Sequence, residues 1–346
     1  PHLSTRRQRQ MCIRDRGMDR KDPSVQSDLF SQWFARADKE LKGDANNRQN
    51  IHMDTDWQTK ALGLSNDAVS SLGELSTNEW SIGDDYNEGD NGLLNRTLLE
   101  DLMTGLESPT IHLNEENALD FLEEISLPHI QLHLRDKGGE LSEQFAQKLS
   151  QHHDVWSGSY SVTQDGVVTD SDTFSDNVWP AVVLETALGR RNSFASTWLA
   201  VSKMLDKHGR IVLDRPMDLD FYRNASWNRA LLYLAKETYG EESLVIHQYV
   251  LDKDFEGIRQ EDALIRSSVM ALSSILSGAK LLRLCPTRWR NDANFRRLAR
   301  NIQLLLRHES NLSQWPDILT GSHTVDALVW DLISAANVKP SLPNDE

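Results

Sequence analysis

From about residue 80 onward the chain switches repeatedly between two hydrophobic periods. Short runs at Trp80–Asp84, Thr110–Asn114, His129–Arg135, Ser159–Thr163, Ile211–Leu213, Leu244–Leu251 and Lys280–Cys285 read as strands. Between them, Leu93–Met103, Glu116–Ile125, Ser142–His152, Pro180–Lys207, Asn224–Thr238, Ala263–Leu276 and Phe295–His308 read as helices. Strands alternating with helices need crossover connections, which give a parallel sheet with helices on its faces. The number of units favours a closed (β/α)8 TIM-type barrel over an open doubly wound sheet.

Two of the strands carry a further message. In "HIQLHLR", Ile130, Leu132 and Leu134 face one way, while His129, Gln131, His133 and Arg135 face the other. "TIHLN" repeats this, with Ile111 and Leu113 opposed to Thr110, His112 and Asn114. Strands buried on both faces of a parallel sheet normally read as near-continuous apolar runs, and these do not. If the apolar face meets the helices, the polar face lines the barrel, so His112, Asn114, Gln131 and His133 are expected inside a wet lumen. An antiparallel sheet with one solvated face is the alternative that the pattern leaves open.

Ahead of the barrel, Leu29, Trp33, Phe34, Ala37 and Leu41 recur at helical spacing within Ser24–Leu41, and Gly43 suits the end of that helix. This apolar face has no evident berth in a closed barrel. Trp33, Phe34 and Leu41 are therefore expected to dock on another subunit, with capping of one barrel end in cis as the alternative. Residues 44–78 are polar, without a sustained period, and read as an extended arm. The first 17 residues differ again, with five arginines against one aspartate in a chain of net charge −15. The run "MCIRDR" looks like translated adapter read-through, and Met18 is then the expected native start. The expected organisation is residues 1–17 as a non-native segment, 18–78 as helix and arm, 79–336 as barrel and 337–346 as tail.

Composition narrows the function. Acidic residues number 52 against 37 basic ones, a balance that disfavours nucleic acid and anionic membrane surfaces. Cys12 and Cys285 are the only cysteines, too few for a disulfide framework, and no apolar run is long enough to span a bilayer. The cytoplasm is the expected compartment. Neither a Gly-rich phosphate loop nor a zinc spacing nor a nucleophile elbow is present. His129 and His133 stand four apart, but on a strand they do not share a helical face, and no third metal ligand lies nearby.

The segment "EDALIRSSVMALSSILSGAKLLRLCP" from Glu261, followed by "NFRRLARNIQLLLRHES" to Ser310, is similar to the closing part of the barrel of cobalamin-dependent methylmalonyl-CoA mutases. Weaker similarity runs through Asp218–Gly240 and through "LFSQWFARADKELKG" at Leu29–Gly43, which resembles the N-terminal helix of that family's small subunit. The resemblance implies a barrel that pairs as a heterodimer with a large catalytic subunit. That partner would hold the adenosylcobalamin and interconvert succinyl-CoA and methylmalonyl-CoA. Departures from the catalytic type are specific. The cobalt-ligating Asp-x-His-x-x-Gly loop is approached only by Asp206, Lys207, His208 and Gly209. Pro286–Trp289 replaces the corrin-contacting loop, and Ser175 stands near the register of the family's histidine. After the Arg297–Gln303 run, Pro316–Thr324 keeps only Gly321 and Ser322 of the family's pattern. The resemblance therefore implies no catalytic, cofactor-binding or metal-binding residues here. A catalytic barrel with its cobalamin domain on a separate chain, and an unrelated ligand-binding barrel, remain as alternative readings.

Overall fold

A computed structural model describes residues 23–40, 42, 50–54, 57–60, 72, 78–87, 91–113, 120–135, 157–162, 178–184 and 191–336. Leu41, Asn114, the helix expected at Ser142–His152, the segment 1–17 and the tail 337–346 lie outside the described residues.

Chain order begins with helix α1 (Pro23–Glu40) and a hairpin of β1 (Asn50–Asp54) and β2 (Trp57–Lys60), paired antiparallel. Then follow β3 (Ser81–Asn87), α2 (Asn91–Met103), β4 (Ser108–His112), β5 (Gln131–Arg135), β6 (Ser157–Val162) and β7 (Val178–Val183). The second half contains α3 (Arg191–His208), β8 (Ile211–Pro216), α4 (Phe221–Tyr239), β9 (Leu244–Tyr249), α5 (Gln260–Leu276), β10 (Leu281–Arg283), α6 (Ala293–His308) and α7 (His323–Ala335). Strands β3 to β10 close into an eight-stranded barrel in sequence order, with β10 returning to β3, and each neighbouring pair is parallel. This is a (β/α)8 TIM-type barrel, and the antiparallel alternative is excluded.

Local chemistry sets the helix ends. Asp292 caps α6 by accepting from the backbone N–H of Asn294 and Phe295, and Asp220 caps α4 by accepting from that of Arg223. Gly240 ends α4 at φ 99°, a left-handed conformation that suits glycine. Apolar faces of the strands meet the helices in continuous clusters. One joins Ile211, Leu213 and Ile246 to Trp198, Trp227, Leu231 and Leu332; another joins Ile111, Leu132 and Leu134 to Leu94, Leu98 and Phe121.

Two expectations are corrected. Val178–Val183 is strand β7 and not the start of a helix, and α3 begins only at Arg191. Pro180 sits on the outward face of that strand, where helix-breaking is no obstacle, and the β-branched residues around it favour extension. Within the stretch expected to be helical at Glu116–Ile125, the described residues form only a 3-10 turn, Asp120–Leu122. The arm is attached in cis: Leu72 is buried with the core cluster of α7, β2 lies against α7, and the Asn78 side-chain amide donates to the carbonyls of Trp315 and Pro316. By contrast, residues 31–40 of α1 contain no buried side chain, and Trp33 is 47% exposed.

Candidate functional site in the barrel lumen

Register identifies the side chains that face inward. Thr110 pairs with His133 and His133 with Ser159, while Asp214 pairs with His247 and Arg283 with both Gly83 and Tyr249. Alternation then puts Ser108, Thr110, His112, Gln131, His133, Arg135, Asp214, His247 and Arg283 on the lumen side. Gly83 is needed there, since a Cβ on it would stand 3.1 Å from Arg283 Cγ and 3.0 Å from Leu281 Cδ1.

Toward the C-terminal mouth, the end at which β/α barrels place their chemistry, these residues form one ionic chain. Arg135 Nε donates to Asp214 Oδ2 at 2.9 Å, and Arg283 Nη2 donates to Asp214 Oδ1. Arg283 Nη1 reaches Asp85 Oδ1 at 3.0 Å, and His112 Nε2 lies 2.9 Å from the same oxygen. Arg290 approaches Asp85 Oδ2 at 3.7 Å, and the Arg283 guanidinium lies over the Tyr249 ring. Asp214 and Arg283 are 1% and 2% exposed. Burial is the largest single influence and acts to raise the pKa of Asp85 and of Asp214, but Arg283 together with His112 and Arg290 at Asp85, and with Arg135 at Asp214, outweighs it. Both carboxylates are held below their ordinary range and stay charged.

Deeper in the lumen, Arg135 Nη2 donates to Ser159 Oγ at 2.9 Å, and the same oxygen lies 2.9 Å from His133 Nδ1. The His133 ring meets that of His247 edge to face at 4.7 Å. Burial lowers the pKa of both well below the usual histidine value. His247, Arg135 and Arg283 add to this at His133, with Asp214 opposing, and the two arginines add to it at His247. Both rings are neutral near pH 7.

At the N-terminal face a cavity of about 930 Å³ opens into the lumen, lined by Ser108, Gln131, Ser157, His247 and Lys280 among others. Three of the sequence-expected lining residues thus fall on one wall: Gln131 at the exposed N-terminal rim, His133 in the buried middle and His112 at the C-terminal mouth. His247, the partner of His133, and the charges of Asp85, Asp214 and Arg283 escaped sequence reasoning. Their signal was a charged residue at or near the C-terminal end of four strands, Asp85, Arg135, Asp214 and Arg283.

In α6 the leucine stripe is not the buried face: Leu305 is 57% exposed while Arg296, Arg300 and Gln303 are buried with Phe295 and Ala299. Arg300 Nη2 donates to Asp101 Oδ1 at 2.6 Å and Arg296 Nε to Asp101 Oδ2 at 2.9 Å, so acids on α2 and β3 recruit the arginines inward.

No protein-family model matches this sequence, and no curated protein does. Among solved structures it is similar to a mandelate racemase/muconate lactonizing enzyme from Roseiflexus sp., at 14% identity and TM-score 0.37 over 62% of this chain. The chain spans 57% of that protein's length. It is also similar to the dihydropteroate synthase of Anaplasma phagocytophilum, at 13% identity and TM-score 0.39, covering 66% of this chain and 99% of the other. A dihydropteroate synthase from Vibrio fischeri ES114 stands at 11% identity and TM-score 0.36, covering 75% and 98%. Likeness of this degree says nothing of activity, substrate or cofactor, and the barrel assignment rests on the strand order itself. Among the described residues no helix is long and apolar enough to cross a membrane, and no group of three or more side chains is arranged to hold a metal ion.

Proposed function

We propose that this chain is the small, cobalamin-free barrel subunit of a methylmalonyl-CoA mutase, pairing with a large catalytic subunit that interconverts succinyl-CoA and methylmalonyl-CoA. The observation that carries the reading is the C-terminal mouth. There, among the described residues, Arg135, Asp214, Arg283 and Asp85 spend their charges on one another while buried, forming an ionic cluster at the end where a catalytic barrel presents reactive groups. Radical rearrangement needs a dry space above the substrate and a proton-holding group beside it. In this reading the acids and arginines of the upper lumen, paired with one another, serve the structure of the barrel.

Helix α1 supports the same reading, because Trp33 remains half exposed while β2 and Leu72 pack with α7. In this reading the heterodimer interface contains Trp33 and Phe34, where a large aromatic contributes most of the binding energy.

The test mixes the purified chain with adenosylcobalamin and methylmalonyl-CoA, first alone and then with a large mutase subunit. Alone, the corrin absorbance stays unchanged and no product forms; together, a one-to-one complex elutes in gel filtration. Trp33→Ala weakens that complex by about 2 kcal/mol or more. Turnover or a corrin spectral change without a partner overturns the reading in favour of a split catalytic enzyme, and absence of any complex overturns it outright.

A further inference from the structure

The lower lumen contains buried polar atoms that the ionic cluster does not use. Ser108 Oγ, Thr110 Oγ1, His133 Nε2 and His247 Nδ1 all lack a hydrogen-bond partner among the described residues, although the four residues are at most 3% exposed. They come from three strands, β4, β5 and β9, and all face inward. Each such atom costs roughly 1–3 kcal/mol if left unpaired, so four on the lumen side of three strands are a costly arrangement for a purely structural core.

Ser159 Oγ accepts from Arg135 and lies 2.9 Å from His133 Nδ1, where the donor is set by the His133 tautomer. In the tautomer in which the Ser159 hydroxyl donates to Nδ1, the ring proton is on Nε2, and the unpartnered Nε2 is then an N–H donor on the lumen side. Thr110, paired with His133 across β4 and β5, and Ser108, two residues earlier on the same face, bring hydroxyls as further donors. Charges facing the pair are Arg135 on the same strand, Asp214 on β8 and Arg283 on β10, with Ser159 on β6 and Thr110 on β4 as neutral neighbours. The two arginines make this region positive at His247. The cavity of the N-terminal face reaches the space through Ser108 and His247, with Lys280 among its lining residues.

We infer that the lower lumen is a binding site for the oxyanion head group, carboxylate or phosphate, of a small ligand entering through the N-terminal face, with His133 Nε2–H, Ser108 Oγ–H and Thr110 Oγ1–H as donors. It lies at the opposite end from the C-terminal mouth and is independent of whether the chain pairs with a mutase subunit. A bound negative charge favours protonation of His247 and His133, so binding takes up protons and strengthens as pH falls.

The experiment titrates the full chain, without any partner, with inorganic phosphate and separately with acetate, reading heat and histidine-ring 15N NMR. Saturable binding of at least one anion is expected, with the protonated Nε2 resonance of His133 shifting at saturation and affinity rising at lower pH. Phosphate alone binding marks a phosphorylated ligand, acetate alone a carboxylic acid. His133→Ala weakens binding about tenfold or more, the worth of one hydrogen bond to a charged group. Ser108→Ala, a smaller change that keeps the fold, weakens it several-fold. No saturable heat up to roughly 10 mM of either anion, or affinity unchanged in both variants, overturns the site and leaves water as the lumen's occupant.

Discussion

Adjacent residues Asp84 and Asp85 lie on one strand and are both buried, yet they live in opposite electrostatic worlds. Asp85 faces the lumen, where Arg283 at 3.0 Å, together with His112 and Arg290, overcomes burial and keeps its pKa below the ordinary carboxylate range. Asp84 faces the helix layer, where its nearest cation is Arg300 at 3.4 Å, a guanidinium already engaged with Asp101 at 2.6 Å. There burial wins, and Asp85 and Asp101 add repulsion, so the pKa of Asp84 is raised to about 7. A buried carboxylate is thus a stabilising anion or a proton-holding acid according to how many cations it need not share.

The sharpest way to break the lumen half of the comparison is Asp214→Ala, which leaves Arg135 and Arg283 without their common counter-ion. Loss of about 3–5 kcal/mol of unfolding free energy is expected in urea melts, as for other single-partner deletions in buried ion pairs. A loss under 1 kcal/mol would mean that water reaches the cluster.

Asp84→Asn tests the helix-layer half through pH. With a folded pKa near 7 and an unfolded one near 4, the folded state holds a proton that the unfolded state has lost. Stability from this group is therefore full below about pH 4 and falls by up to ~1.4 kcal/mol per unit until pH 7. Subtracting variant from wild-type melting curves at pH 5, 6 and 8 should isolate that slope, and parallel curves would contradict it.

Asp85→Asn acts in the opposite sense. Its depressed pKa makes its contribution present above the unfolded value and lost on acidification. The variant should lose about 1–3 kcal/mol at neutral pH and be nearer to wild type under strongly acid conditions. Smallest of all, Tyr86→Phe removes the 2.7 Å hydrogen bond to Asp101, which keeps Arg296 and Arg300. About 1 kcal/mol is expected from thermal melts.

Much of the barrel was legible because strands imprint period two and helices a period near 3.6, and "HIQLHLR" also showed which face was wet. Strand β7 was missed because a proline within a β-branched run resembles a helix start as readily as an outward strand position. In α6 the stripe of leucines concealed the true buried face, since arginine turns inward only when acids elsewhere in the chain await it. Of the site, His112, Gln131 and His133 were found by alternation. Asp214 and Arg283 were not, for nothing local relates residues 69 positions apart.

The sequence by itself determined the β/α alternation and the polar face of two strands, and favoured a closed parallel barrel, because periodicity and alternation are local consequences of backbone geometry. Only the tertiary structure decided which carboxylate meets which guanidinium, that Asp85, Arg135, Asp214 and Arg283 form one buried ionic chain, and that Ser159 stands between Arg135 and His133. Charge pairing and tautomer depend on distances of a few ångströms between residues far apart in the chain, and closure of the barrel sets those distances.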